Sequence, residues 1–248
     1  MNLNGKVAMI TGASSGIGYG ITKKLSSKGC KVLMVSKTKK KLEKSANEIP
    51  NSIPLIADVT SIKHLKKLKK MLRTHTDNID ILVCNVGSGS SAPPGKEKIS
   101  DWHKMLDINL FSSINVISEF KDLISKKGGS IVCISSICGI DFIPGAPIPY
   151  SVSKAALNHY IKTSAREFAT ENIRINAVAP GNILFQGSTW EKKLIKNKRL
   201  VRKMLNENVS LKKFGSIEDV ASMVLFLSCE NSKFITGSVI PVDGGQLR

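Results

Sequence analysis

The sequence predicts a single α/β domain, a doubly wound seven-stranded parallel sheet flanked by helices. Three observations lead there. Seven short runs are rich in β-branched and apolar residues, and several are apolar throughout, as strands covered on both faces require. Longer amphipathic stretches alternate with them, and β–α alternation implies crossover connections that return each strand parallel to the last. Neither a repeat nor a low-complexity linker interrupts the 248 residues, so residues 1–248 read as one domain.

The strands are expected at residues 6–11 (KVAMIT), 31–36 (KVLMVS), 52–58 (SIPLIAD), 79–85 (IDILVCN), 130–136 (SIVCISS), 173–180 (IRINAVAP) and 238–243 (SVIPVD). Two helices have clear ends. GIGYGITKKLSSKG stops at Gly29, and SIEDVASMVLFLS opens with Ser216 and Asp219 at capping-box spacing. Residues 184–214 are the one long irregular piece. They are expected to form one or two short helices, a substrate-binding lid inserted in the domain.

Composition narrows the setting. Hydrophobic residues make up 42% of the chain, enough for a substantial core. Membrane association is not expected, because no apolar run approaches the roughly 20 residues that span a bilayer. The start MNLNGKVAMITG lacks the pattern of a signal peptide. Five cysteines without a CxxC pair suit reduced thiols, so the expected location is cytoplasmic. The formal net charge of +18 comes mostly from Lys runs such as KTKKKLEK. Charge alone reports solubility and nonspecific attraction, and a solvated Lys-rich surface accounts for it. Aromatics are only 5% of the chain and do not interleave with the basic residues, so no nucleic-acid partner is expected. No metal ligand set is expected either.

The first strand runs into TGASSGIG, where Gly12, Gly16 and Gly18 fall at a strand-to-helix turn. Glycines there let the backbone approach a pyrophosphate, and the helix N-terminus offers N–H donors and a positive dipole end. The motif predicts a dinucleotide site. The stretch YSVSK sets Tyr150 and Lys154 four residues apart, on one face of a helix. Alone, the pair reads as surface decoration. Beside a dinucleotide it reads as a phenol positioned for proton transfer, provided that neighbouring charge brings its pKa down from about 10.

Taken in order, TGASSGIG, ADVT with Asp58, NVG at 85–87, INL with Asn109, ISSICG, YSVSK, NAVAPGNI and GSVIPVDGG resemble the short-chain dehydrogenase/reductase family over essentially the whole chain. The resemblance implies a Rossmann fold and hydride transfer between a nicotinamide and a ketone or secondary alcohol. It implies that Tyr150 gives a proton to the carbonyl oxygen, that Lys154 lowers the pKa of Tyr150 and holds the ribose, that Ser136 binds the carbonyl oxygen, and that Asn109 positions a water. Strand alternation lets only one of Ser135 and Ser136 face the site, and the family pattern selects Ser136. Cofactor contacts are implied at Gly12, Ser14, Ser15, Gly16, Ile17, Gly18, Ser36, Lys37, Thr38, Asp58, Val59, Asn85, Val86, Gly87, Tyr150, Lys154, Pro180, Gly181 and Ile183. Val86 stands where the family usually has Ala, and Phe185 where it often has a Thr.

An NAD enzyme needs an acid at the end of the second strand. Ser36, Lys37 and Thr38 stand there instead, so NADP(H) is preferred and NAD(H) possible. Phe185 and Trp190 are expected as apolar walls of the substrate pocket. The expected substrate is a small-molecule or carrier-linked carbonyl, a 3-oxoacyl thioester first and a sugar or nucleotide-linked sugar second. A non-catalytic dinucleotide-binding protein is the reading from another class, and retention of Asn109, Ser136, Tyr150 and Lys154 argues against it. By resemblance, the helices around residues 102–123 and 150–170 pair across a two-fold axis, giving a homotetramer or at least a dimer.

Overall fold

In the computed structural model, which describes residues 1–247, the chain forms a seven-stranded parallel sheet of order β3-β2-β1-β4-β5-β6-β7. The strands are β1 (Val7–Thr11), β2 (Lys31–Ser36), β3 (Ser52–Ile56), β4 (Ile81–Cys84), β5 (Gly129–Ile134), β6 (Ile173–Pro180) and β7 (Val239–Val242). Every ladder is parallel, as the helical crossovers demand. The order reverses between β1 and β4, and a crevice opens there at the strands' carboxyl ends, where open α/β sheets place ligands.

Each face of the sheet carries its own core. Helices α1 (Gly16–Ser26), α2 (Lys39–Asn47) and α9 (Ile217–Ser228) pack on one side, burying Ile21, Leu25, Leu42, Val220 and Val224 against Ile10, Met34 and Val83. On the other side α3 (Ile62–Leu72), α5 (Ser112–Phe120) and α6 (Ile148–Ala169) bury Leu65, Leu68, Phe120, Leu157 and Ile161 against Met9, Leu33 and Leu82. Each such side chain contributes roughly 1.5–3 kcal/mol, which explains why KHLKKLKKML folds as a helix despite its charge: Leu65, Leu68 and Leu72 fall on one face. α4 (Ile99–Leu106) continues into a π-helical turn (Asp107–Phe111) and then α5.

The expected ends are met. Gly29 closes the α1 segment at φ +88°, a left-handed conformation that favours glycine. At α9 the Asp219 N–H donates to the Ser216 hydroxyl, and the Ser216 N–H donates to the Asp219 carboxylate at 2.7 Å. The 184–214 segment contains two short helices, α7 (Thr189–Lys196) and α8 (Lys198–Asn208). They hold together through a small cluster of Val201, Leu205 and Val209 with Trp190, Leu194, Met204 and Phe214.

Candidate active site

A cavity of about 920 Å³ lies over the carboxyl ends of β1, β4, β5 and β6, with the lid on its far side. Gly12, Ser15, Gly16, Ile17, Asn85, Val86, Gly87, Ser136, Tyr150, Lys154, Pro180, Gly181, Ile183, Phe185 and Trp190 all line it. Ser14, Gly18, Ser36, Lys37, Thr38, Asp58, Val59 and Asn109 lie outside this lining, behind the wall or further along at the ends of β2 and β3.

The glycine loop has no room for side chains. A Cβ on Gly12 would stand 2.8 Å from the Asn85 amide nitrogen, and one on Gly18 would meet the Gly12 carbonyl at 2.3 Å. Asn85 ties the loop down, donating from Nδ2 to the Thr11 and Gly12 carbonyls at 3.0 and 3.3 Å. Its N–H donates to the Thr11 hydroxyl at 3.0 Å. The amide expected among the cofactor contacts is therefore committed to joining β1 and β4 under the loop. Ser15 makes no side-chain capping bond, so the first-turn N–H groups of α1 are left to the cavity. These features fit a pyrophosphate.

At the adenine end Ser36 shares a hydrogen bond with Ser14 at 3.0 Å, and the Lys37 ammonium faces Asp58 at 4.0 Å. Burial pulls the Asp58 carboxyl upward, but two hydrogen bonds from Thr60, then Lys37 and His64, hold it below the usual carboxylate range. Lys37 remains exposed, with an acid beside it that the sequence alone did not pair with it. At the other end the Ile183–Gly215 bridge uses backbone groups of Asn182 and Leu184, which leaves those of Ile183 to the cavity.

A second group of polar side chains is assembled from the residues just past β5, from α6 and from the π-turn. The hydroxyls of Ser135 and Ser136 go to different partners. Ser135 donates to Asn158 Oδ1 at 2.5 Å, and Asn158 Nδ2 donates to the Gly139 carbonyl at 2.9 Å. Ser136 accepts from the Cys138 N–H at 3.2 Å, and its hydroxyl lowers the pKa of Tyr150 against the opposing effect of burial. Ser136 is thus the serine on the Tyr150 side. Asn158 was not anticipated, although Tyr150, Lys154 and Asn158 form an i, i+4, i+8 series whose regularity points to it. Asn109 is fully buried; its Oδ1 accepts from Ser88 N–H at 2.9 Å, and Nδ2 donates to the Ser88 and Met105 carbonyls. One Oδ1 lone pair is left over. A Cβ on Gly87 would lie 2.9 Å from Asn109 Oδ1 and 3.1 Å from Lys154 Nζ, so the three residues converge.

The electrostatics of the pair are set first by burial. Lys154, 3% exposed, donates to the Ile134 carbonyl at 2.8 Å, and burial draws its pKa down to about 8. Behind it Cys84 and Cys133 face each other across β4 and β5, and their mutual hydrogen bond and burial hold the Cys84 thiol well above its ordinary value. Tyr150 was expected to be acidified by Lys154. Burial instead pushes it up to about 12; the Ser136 hydrogen bond offsets this in part, and Cys138 adds to it. The ammonium is turned to a carbonyl, and a desolvated phenolate is disfavoured before any ligand charge arrives.

Phe185 and Trp190 both line the cavity, with different neighbours. The Phe185 ring lies over the glycine loop, 2.8 Å from where a Cβ on Gly16 would stand, and packs with the α1 side core. Trp190 stacks on Phe214 at 5.6 Å between centroids and carries Lys193 over its ring at 4.4 Å. Cys138, Gln246 and Leu247 also line the cavity and were not anticipated. Gln246 follows the last strand, where neither periodicity nor a motif marks it.

With this geometry in place, the comparisons with known proteins are specific. A family model described as enoyl-(acyl carrier protein) reductase matches residues 12–246. The chain belongs to the short-chain dehydrogenase/reductase family. Among similar members of this oxidoreductase family, a 3-oxoacyl-acyl-carrier-protein reductase of Thermotoga maritima is 36% identical over 250 aligned positions, covering 99% of each chain. One of Rickettsia prowazekii is also 36% identical, covering 100% of this chain and 99% of the relative. Among solved structures, L-sorbose reductase from Gluconobacter frateurii in complex with NADPH and L-sorbose superposes with a TM-score of 0.92 at 28% identity, covering 100% of this chain and 98% of that one. The whole chain thus shares its fold with a solved reductase of this kind.

Proposed function

We propose that the protein reduces a ketone at the expense of NADPH, with a 3-oxoacyl thioester as its substrate. The observation that carries this reading is the convergence of Ser136, Tyr150 and Lys154 on a cavity that also takes in the glycine loop, with Asn109 close behind Gly87 and Lys154. Full-length similarity to 3-oxoacyl reductases supports the thioester. When bound, the nicotinamide supplies the hydride and, once oxidised, a positive charge. Tyr150 gives its proton to the carbonyl oxygen. The Ser136 hydroxyl holds that oxygen by a hydrogen bond. Lys154 returns a proton towards Tyr150, and its pKa of about 8 suits such a relay near neutrality. The free lone pair on Asn109 Oδ1 binds the water that links Lys154 to solvent. Lys37, with Ser36 and Thr38, receives the 2′-phosphate, exchanging its contact with Asp58 for a more highly charged partner.

The free, largely buried thiols of Cys30, Cys84, Cys133 and Cys229 fit a reducing, cytoplasm-like setting. Among the described residues no helix is long and apolar enough to cross a membrane. Exposed Phe111, Ile148 and Val152 on the α4–α5 and α6 side support association into a dimer or tetramer, which light scattering at micromolar concentration tests directly.

The deciding assay follows NADPH oxidation with acetoacetyl thioesters and with L-sorbose side by side. Turnover of the thioester is expected. Turnover of the sugar alone would transfer the assignment to polyol ketones, the reading favoured by the sorbose reductase likeness.

A further inference from the structure

Resting on ketone reduction as the activity, we infer that Lys193 is a specificity-determining residue that pairs with an anionic group, a phosphate or carboxylate, carried by the substrate beyond its reacting carbonyl. Four observations converge on this residue. Lys193 lines the same cavity as Ser136 and Tyr150, although it belongs to the lid. Its ammonium is held over the Trp190 ring at 4.4 Å, and Trp190 is itself fixed by Phe214 at 5.6 Å. A cation seated on an aromatic face loses less freedom on binding an anion than a free lysine does, so it binds from a prepared position. The charge also reaches inward: Lys193 lowers the Cys138 thiol against the larger, opposite effect of burial, and Cys138 adjoins Tyr150.

The neighbouring acids do not neutralise it. Among the described residues Lys193 makes no ion pair, and Glu191, two positions away, accepts from the Gly187 N–H at 2.6 Å. Asp141, on the cavity wall, accepts from the Phe142 N–H at 2.7 Å. Lys192 lines the cavity as well and adds to the local positive potential. An ammonium that is prepared, unpaired and set in the wall of the cavity is arranged for an anion on the substrate. Most of the other Lys and Arg side chains behind the charge of +18 are exposed and need no such role.

The test uses two matched pairs in which only the anion differs: acetoacetyl-pantetheine against acetoacetyl-4′-phosphopantetheine, and dihydroxyacetone against dihydroxyacetone phosphate. The first pair reports a phosphate on a thioester arm, the second a phosphate on a small ketone. In the wild type, kcat/KM is expected to favour the phosphorylated member of at least one pair by about tenfold, through KM. Lys193→Ala should abolish that preference and leave the neutral member within about twofold. Lys196→Ala, in the same helix but outside the cavity lining, should keep the preference. Equal loss on charged and neutral members in Lys193→Ala, or no preference in the wild type, overturns the inference while leaving ketone reduction standing.

If neither pair is turned over, the ketone reading fails first, and binding then decides the inference. In a Trp102→Phe background Trp190 is the sole tryptophan, since the chain has two. Saturable change of its emission by dihydroxyacetone phosphate or 4′-phosphopantetheine, lost in Lys193→Ala, upholds anion pairing; no change with either ligand refutes it.

Discussion

The two walls of the cavity are built differently. The strand-end wall sets Asn109, Ser136 and Lys154, at 0%, 6% and 3% exposure, on elements rooted in the two large cores. Each polar group there has a named partner: Ile134 for Lys154, Ser88 and Met105 for Asn109, Cys138 for Ser136. The lid wall rests on α7, which buries no residue of its own, and on α8, which buries Val201 and Leu205. Its order comes from one small cluster. On the proposed function, chemistry that tolerates little displacement falls to the first wall and recognition to the second.

Removing the phenol tests the rigid wall most severely. Tyr150→Phe should cost about 10³-fold in kcat, because the proton donor is lost and nothing else moves. NADPH binding, read by its fluorescence, should stay within a few-fold of wild type. Near-normal turnover would show that the wall is not where chemistry happens.

Lys154 sharpens the comparison through stability. Its folded pKa of about 8 lies below the unfolded value near 10.5, so at pH 7 the buried ammonium opposes folding. Lys154→Met should therefore be inactive yet more stable at pH 7, by about 2 kcal/mol, or roughly thirtyfold in the folding equilibrium. Between pH 8 and 10.5 the unfolded chain binds more protons at this site than the folded one, so the wild type should gain stability there while the variant lacks that gain. Tyr150 acts oppositely above pH 10, where its raised value removes stability. Urea midpoints across this range check both signs. In catalysis, kcat/KM for ketone reduction should fall above about pH 8 as the ammonium is lost.

At the cofactor end, Ser36→Asp with Lys37→Ala should shift the ratio of kcat/KM for NADPH over NADH towards NADH by about tenfold. The double change adds a hydroxyl acceptor and leaves Asp58 without its cation. An unchanged ratio would mean that Lys37 belongs to Asp58 alone.

The smallest effect is expected at the lid. Trp190→Ala removes an aromatic side chain packed against the lid cluster and should raise substrate KM by about fivefold, with NADPH affinity unchanged. A large drop in melting temperature would show instead that the lid is integral to the main fold, and the contrast between walls would fall.

Legibility in the sequence divides along the same line. β2 and β6 fall at the expected residues because their apolar runs end where burial ends. β3, β4 and β5 stop short of expectation at their carboxyl ends, where Asp58, Asn85 and Ser136 leave the ladder to form the site. Tyr150 and Lys154 were legible from helical spacing, but the acidity of Tyr150 was not, because spacing does not say which carbonyl the ammonium will face. Phe185 was legible as a wall of the cavity, but its place over the glycine loop was not, because the lid's path depends on long-range packing on the α1 side core, which local pattern does not encode. Asn158 was within reach of the periodicity that found Lys154.

The π-turn at Asp107–Phe111 makes the helix a counting device. One extra residue in the turn offsets the helix beyond it by about 100° relative to an unbroken α-helix. Asn109 lies within this turn, buried against Ser88, and α5 beyond it buries Val116, Ile117 and Phe120 in the core that β4 shares. Deleting a single residue from this turn would give a more regular helix and rotate one of the two faces out of use. Local regularity and function are therefore opposed here, and a redesign that optimises the helix by its own geometry would erase the site while improving the element that bears it.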